Sequence, residues 1–555
     1  MLKVKKIIFI GFAAFSIAQL NAQEALKSAE EEYYDFLALQ GITERPTLNY
    51  RTLSDSEWQI KEDAEHPWQD NNLGTKKTVF QAETLSDGWF MRGVDQSVKY
   101  KVYGPEWFNS YNTHMPYGQN DGALWQGKGY NTSFTAGARL EAYGLEVTLK
   151  PQISFSQNKS FDLMPSAYDS PYGYFWGYGN NQGADAPQRF GDDSFWIFDW
   201  GDTEIRYTWH NLTAGVGTQA IWLGPAFVNP VLHSNNAATY PKVDVGFRKT
   251  EVNIFGHYIG DMEGRIWTGR LTESDYFDND SSNDHNMFHG LTMSYAPSFL
   301  EGLTLGVNRV CLTKWKMKNL KYVLPREENS DVGVQGSGED QKASFTADWI
   351  FPSVGFEVYG EIGIDDFANR MKNFEHTMTY TAGAKKAVRI SNKHNISGEI
   401  IFEWNNTEMS QDFQLQWPYN FGFHYQVTQG YTNKGQWLGS GIGYGGNSQF
   451  LGFKIYHPKG SVLLFINRFE PDSNYIYSKA VEAKANEDNL NDKYYHQMKS
   501  HLVLGISSDY FVTSSLKINA GILYDKIYSP YYEDESKEGT WMRNYSAQFG
   551  LKYSL

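Results

Sequence analysis

The chain has 555 residues, 49 Lys and Arg against 64 Asp and Glu, and a formal net charge of −15. That acidic balance argues against a nucleic-acid partner, which needs a basic face to neutralise phosphates. A mean hydropathy of −0.53, with no later apolar run of the roughly 18 residues a spanning helix needs, excludes a helical membrane protein.

Residues 1–22 read as an export signal that is removed. Lys3, Lys5 and Lys6 give a positive start, an apolar run follows, and Ala22 is a small residue suited to cleavage. No cysteine stands near that point, so a lipid-anchored N-terminus is not expected. The single cysteine, Cys311, cannot form an internal disulfide. Residues 23–96 are expected to be a small helical element on the periplasmic side. Leu26, Tyr33, Phe36 and Leu37 recur at helical spacing before Gly41. Ser54-Asp55-Ser56-Glu57 has capping-box spacing and predicts a second short helix ending before Pro67.

From about Ser97 the apolar period changes to two. Phe134, Ala136, Ala138, Leu140 and Ala142 alternate with Arg139, Glu141 and small polar residues. After Tyr143-Gly144, Leu145, Val147, Leu149, Ile153 and Phe155 alternate with Glu146, Thr148, Lys150, Gln152 and Ser154. Strand side chains alternate faces, so each strand has one apolar and one polar face. A soluble sandwich would share this pattern. The final strand separates the two readings: Tyr545, Ala547, Phe549, Leu551, Tyr553 and Leu555 share a face, like the C-terminal signal of outer-membrane barrels. A closed barrel leaves no backbone group unpaired in lipid, and the 37 Tyr, 35 Phe, 17 Trp and 51 Gly suit its girdles and turns.

The fold class is therefore an all-β, transmembrane antiparallel β-barrel of about 18 strands over residues 97–555. Short turns at Tyr143-Gly144, His210-Asn211, Lys249-Thr250, 350–353, 457–460 and 509–512 are expected on the periplasmic side, with long polar loops outside. Residues 421–445 could add a further hairpin.

The inward faces carry both signs of charge: Arg139, Glu141, Glu146, Lys150, Glu357, Glu361, Glu399 and Glu403, with Lys517 and Lys552. Such charges belong off the lipid face of any barrel, and if opposite signs pair they occlude it. Glu357 and Glu361, like Glu399 and Glu403, stand about 13 Å apart along a strand. That is too far for the roughly 5–9.5 Å of a glycosidase pair. His233-Ser234-Asn235 lacks a glycine elbow, and adjacent residues on an extended chain point apart, so no catalytic residue is expected. The loop from Asp278 to Asp284 begins like a calcium loop but lacks its later glycine and glutamate, so no metal or other cofactor is expected.

The chain resembles the Wzi-type capsule assembly proteins over most of its length. Tyr34-Asp35-Phe36-Leu37-Ala38-Leu39-Gln40-Gly41-Ile42 is similar to the family's periplasmic helix. Trp222-Leu223-Gly224-Pro225 followed by Ser234-Asn235-Asn236-Ala237, then Phe402-Glu403-Trp404-Asn405-Asn406-Thr407, and Gly430-Tyr431-Thr432-Asn433-Lys434-Gly435-Gln436-Trp437-Leu438-Gly439, follow in the family's order. Leu223 and a Tyr/Gly-rich insertion at 168–182 depart from its pattern.

The resemblance implies a monomeric outer-membrane protein, not an enzyme, that sits among outer-membrane lipid and binds capsular or other surface polysaccharide. Candidate saccharide contacts on outer loops are Tyr172, Tyr174, Trp176, Tyr431 and Trp437, whose flat rings suit stacking on sugar C–H faces. Lys314, Trp315 and Lys316 add cations suited to acidic sugars. The rival readings are a substrate-selective porin and a membrane hydrolase.

Overall fold

The period-two pattern closes into an 18-strand antiparallel barrel in a computed structural model. The structure describes residues 21–23, 26–61, 64–82, 85–86, 88–177, 183–325, 338–365, 374–410, 419–485, 497–532 and 541–555. Residues 1–20 of the expected signal, and Tyr178, lie outside them.

The barrel begins with β1 (Ser97–Asn112), β2 (Gly129–Ala142), β3 (Leu145–Leu149 and Gln152–Ser156) and β4 (Phe195–Asp199 and Glu204–Trp209). It continues through β5 (Leu212–Gly217), β6 (Lys242–Ile254), β7 (His257–Thr272), β8 (His285–Pro297) and β9 (Leu303–Lys314). Next come β10 (Glu339–Phe351), β11 (Phe356–Asp365), β12 (Thr379–Ser391) and β13 (Ile396–Asn406). The wall ends with β14 (Asn447–His457), β15 (Gly460–Glu470), β16 (Ser500–Phe511), β17 (Leu516–Tyr528) and β18 (Trp541–Tyr553). Neighbours in sequence pair, and β18 closes on β1 from Ser546↔Asn112 to Lys552↔Glu106.

Alternation sets the two faces. On β18, Trp541, Tyr545, Phe549 and Tyr553 point outward while Asn544 and Gly550 are buried. Two irregularities keep the pattern consistent. A bulge at Gly104-Pro105 shifts the outward parity of β1 from Tyr100 to Trp107 and Tyr111, as one extra residue must. Pro151, which has no N–H to give a ladder, separates the two pieces of β3.

Three expected turns move, the one at 350–353 by two residues to 352–355. Lys249 belongs to a bulge at Arg248-Lys249 inside β6 and Thr250 pairs with Met262, and the turn is Phe255-Gly256, with φ of 51° and 82°. Phenylalanine rarely accepts positive φ, so local chemistry favours the polar Lys-Thr pair as a turn. Likewise β16 runs to Phe511, and its turn lies at 512–515. Residues 421–445 add only the short hairpin Thr432–Asn433 and Gln436–Trp437, outside the wall.

Among its described residues the segment before the barrel holds one helix, α1 (Ala29–Leu39), capped by Ser28, whose hydroxyl accepts the Glu31 N–H. Gly41, with φ of 71°, follows its end. The second helix is absent: Glu57–Ile60 is a strand pairing with Asn21–Gln23 and with Thr43–Glu44. Ser54 cannot cap there because its hydroxyl donates to Glu204 of β4 and accepts from Arg139 of β2, at 2.9 and 2.8 Å. Tertiary partners override the local signal. Rather than hanging below the barrel, residues 26–60 fill its turn-side end, where Tyr33, Phe36 and Trp68 pack on Tyr456 of β14.

Phe549 sits on the lipid face in the middle of β18. Phe549→Arg should cost about 2–4 kcal/mol of folding stability near the bilayer midplane. Reversible denaturant unfolding in phospholipid vesicles, read by tryptophan emission, measures it.

Candidate functional site

Most charges the strands turn inward meet a partner, either another wall residue or one from the segments that enter the barrel. From the turn side, α1 is acidic and the wall opposite it carries lysines. Glu30 is bonded by Lys517 and Lys552, both at 2.8 Å, Glu32 by Lys454 at 2.7 Å, and Asp35 by Lys385 at 2.6 Å. Burial works against these carboxylates, yet the lysines and Arg45 more than offset it. Asp35 and Glu30 are held well below the usual carboxylate range, and Glu32 falls to about 2 from 4.5. Glu32's contribution to docking is therefore complete above pH 4.5 and is lost only as pH falls toward 2.

The stretch after α1 reaches deeper. Arg45 bridges Asp35, Asp348 of β10 and Glu357 of β11, at 2.7, 2.5 and 2.9 Å. Glu263 of β7 accepts the Leu48 and Tyr50 N–H groups at 2.6 and 2.8 Å. Asn49 donates to Thr292 and Asn308 and accepts from Thr346. Asp55 takes Arg248 and Arg265 at 2.7 and 2.8 Å. Around it Arg139 holds Glu141 and Glu146, and Lys150 holds Asp202.

From the loop side, residues 218–241 fold back into the barrel. Glu403 of β13 accepts three successive N–H groups, from Phe227, Val228 and Asn229 at 2.5, 3.1 and 2.7 Å, plus the Tyr359 hydroxyl at 2.9 Å. Glu361 accepts the Val231 N–H at 2.8 Å. The two plugs then meet: Trp222 and Leu223 pair as a short antiparallel ladder with Arg51 and Tyr50. Lys27 beside α1 sits 3.7 Å over the Phe227 ring and donates to its carbonyl at 2.9 Å. An apolar core surrounds the junction, built from Tyr50, Leu223, Val231, Trp267, Phe288 and Tyr431 among others. A cavity of about 440 Å³ remains between α1, loop residues Tyr117–Asp121 and the inner wall of β15, β17 and β18.

The structure thus divides the expected lumen charges by task. Arg139, Glu141 and Glu357 meet the N-terminal segment, Glu146 pairs with Arg139 and Arg248 on the wall, and Glu361 and Glu403 hold the outer loop. Glu399 is buried between Lys385 and Lys454, and Lys150 stays on the wall. Sequence reasoning missed the plug side: Arg45, Asn49, Ser54 and Asp55. The available signal was charge complementarity between acidic α1 and the inward lysines at 385, 454, 517 and 552.

The outer-loop candidates separate by exposure. Lys314, Trp315 and Lys316 are exposed at the end of β9, with Arg270 lying 5.7 Å from the Trp315 ring. Tyr172 is half-buried, donating to Asp192 at 2.6 Å and meeting Tyr276 edge-on. Tyr174 and Trp176 instead lie in a buried aromatic cluster with Tyr168, Phe277 and Phe423, and Trp437 packs against its edge and against Tyr444. Tyr431 is fully buried and donates to the Leu232 carbonyl at 2.9 Å. Their rings were expected to face outward. They turn inward because one loop packs on another: Ser234 donates to Gly439, Asn433 to Ala238 and Asn236 to Trp437, at 2.6, 2.8 and 3.0 Å.

That packing also accounts for His233 and Ser234. His233 bonds the Ile221 carbonyl and the Tyr240 hydroxyl, and burial lowers its pKa to about 3. Ser234 gives its proton to a backbone carbonyl, so the two do not form a nucleophile–base couple. Asp278 and Asp280 accept backbone N–H groups within their own turn. Among the described residues no three acidic, histidine or cysteine side chains converge on a metal position.

The family model for capsule assembly protein Wzi matches residues 111–538. No curated protein sequence matches. Among solved structures, the chain is similar to Escherichia coli Wzi, described as an outer membrane protein involved in group 1 capsule assembly and a carbohydrate-binding β-barrel. Identity is 10%, coverage 97% of this chain and 100% of that one, and the TM-score 0.56. Acinetobacter baumannii OccAB1 (9% identity, 86% and 99% covered, TM-score 0.38) and Pseudomonas putida OprB (12%, 82% and 94%, 0.35) also match.

Arg45 offers a direct probe of the plug, because its loss takes the cation from Asp348 and leaves Asp35 and Glu357 with Lys385 alone. Removing one partner of a buried ion pair costs about 3–5 kcal/mol. Arg45 keeps 20% side-chain exposure, so Arg45→Met should fall near the lower end. Denaturant unfolding of the detergent-solubilised protein gives the value.

Proposed function

The chain belongs to the Wzi family of capsule assembly proteins, and from that we propose that it binds capsular or related surface polysaccharide at the outer membrane, holding it at the cell surface. The observation that carries this reading is the double plug. A lumen filled from both ends, with the two fillings stitched at Tyr50-Arg51 and Trp222-Leu223, leaves the outer loop surface as the place for a ligand. Recognition commonly sits on loops held by a rigid scaffold.

In this reading residues 1–22 direct export, residues 23–96 begin as the plug, and residues 97–555 form the barrel, which works as a monomer without a cofactor and without cleaving its ligand. The contact patch is Lys314, Trp315 and Lys316 with Arg270 and Lys318: an exposed ring flanked by cations, suited to a glycan with carboxylate groups. Tyr172 and Trp437 border the bound chain. Tyr174, Trp176 and Tyr431 act from beneath by fixing the loops. Avidity comes from polymer length, since many weak contacts along one chain multiply.

A stacked aromatic contributes about 0.5–1.5 kcal/mol beyond area burial, about two- to twelve-fold in affinity. Trp315→Ala should therefore weaken binding of purified surface polysaccharide only several-fold. The triple variant Lys314→Ala, Trp315→Ala, Lys316→Ala should abolish most of it and shed polysaccharide into the medium, with the barrel still inserted. Surface plasmon resonance on immobilised glycan at two salt concentrations measures both parts. Unchanged binding by the triple variant refutes the patch.

A further inference from the structure

After leaving the lumen the chain does not run straight into β1. It passes under the rim, where the Asn72 N–H donates to Ser514 and its side chain to the Ser554 carbonyl. Lys77–Gln81 then pairs with Ser97–Tyr100, the start of β1. The ladder from β18 stops at Glu106, so this short strand covers the part of β1 that closure leaves open. All five of its residues are exposed, and the register puts Lys77 and Phe80 on the outward face with Tyr100 and Val98.

Trp89 and Phe90 lie across the outward face of β4. Tyr207 and Trp209 share the outward parity of Ile205, which faces lipid. Phe90 stacks nearly parallel to both rings, at 6.3 and 6.1 Å, and Trp89 meets Trp209 at 5.2 Å. The Trp209 indole N–H donates to the Phe90 carbonyl at 3.0 Å. This strap still leaves large apolar side chains uncovered: Val79 is 65% exposed, Leu85 60%, Trp89 77% and Phe80 51%. Its polar groups sit beside them, with Arg92 exposed and Asp95 paired to Lys99 at 2.7 Å. An apolar patch bordered by an aromatic pair and charges is the composition of a membrane interface.

We infer that this strap is embedded in the interfacial layer of the inner leaflet of the outer membrane, with Val79, Phe80, Leu85, Trp89 and Phe90 in contact with phospholipid. The patch is continuous with the lipid-facing Ile205, Leu145 and Leu212 of the wall, and it lies at the turn end, which faces the periplasm. The segment that plugs the lumen also anchors the rim from outside, so the barrel wall is gripped on both faces by one chain.

The experiment uses the whole chain with Cys311→Ser, carrying a spin label on one introduced cysteine, in phospholipid vesicles. Labels at Val79→Cys and Leu85→Cys are compared with Phe549→Cys on the lipid face and Lys393→Cys on an exposed turn. The strap labels should collide with oxygen in preference to a water-soluble nickel chelate, as at 549 and at least several-fold more than at 393. Two sites guard against local disruption by either substitution. Labels that behave like 393 overturn the inference, and this is also the result if the patch serves a periplasmic protein instead of lipid.

Discussion

A charge turned into a barrel must be solvated by water or paired by protein, and this molecule pairs it. Everything about the lumen follows from that requirement. An unpaired ion in a dry interior is prohibitively costly, so the inward Arg, Lys and Glu side chains determine where the remaining chain goes. Glu403 draws three consecutive backbone N–H groups of the outer loop to one carboxylate. Glu263 holds two N–H groups of the N-terminal segment, those of Leu48 and Tyr50. The Tyr50-Arg51 ladder with Trp222-Leu223 is the point at which the two sets of constraints join.

The wall was legible because its chemistry is local. Strand alternation, the apolar face of Tyr545, Phe549 and Tyr553, and the turns at Tyr143-Gly144 and His210-Asn211 depend on neighbours in sequence. The shift at Lys249-Thr250 shows the limit of that legibility. A turn made by Phe255-Gly256 has poor local chemistry and is fixed by the register of β6 against β7. Ser54 is the sharper case. Its capping-box pattern is a valid local signal, but Arg139, Glu204 and Gln219 lie 85 to 165 residues away and outcompete it. The plug was hidden for this reason, although acidic α1 and four inward lysines were each visible.

The outer loops show the same division between chemistry and position. Residue type singled out Tyr174, Trp176 and Tyr431 as rings able to stack on sugar, but not which way a loop would turn them. They became loop-to-loop packing, because a folded loop must bury apolar surface of its own. Trp315, held between two exposed lysines at a strand end with Arg270 beside its ring, is itself exposed. Family resemblance over 222–237 and 430–439 marks the contact between two loops and the plug junction beneath it.

This barrel holds its own chain where a porin holds water, and ion conductance reads the difference. Wild-type protein inserted in a planar bilayer at neutral pH should show no steady current steps above the leak of the bare bilayer. A variant that cuts both anchor sets, Arg45→Met with Glu403→Gln, should show frequent openings. Steady open steps from the wild type would contradict the account and return the molecule to the porins.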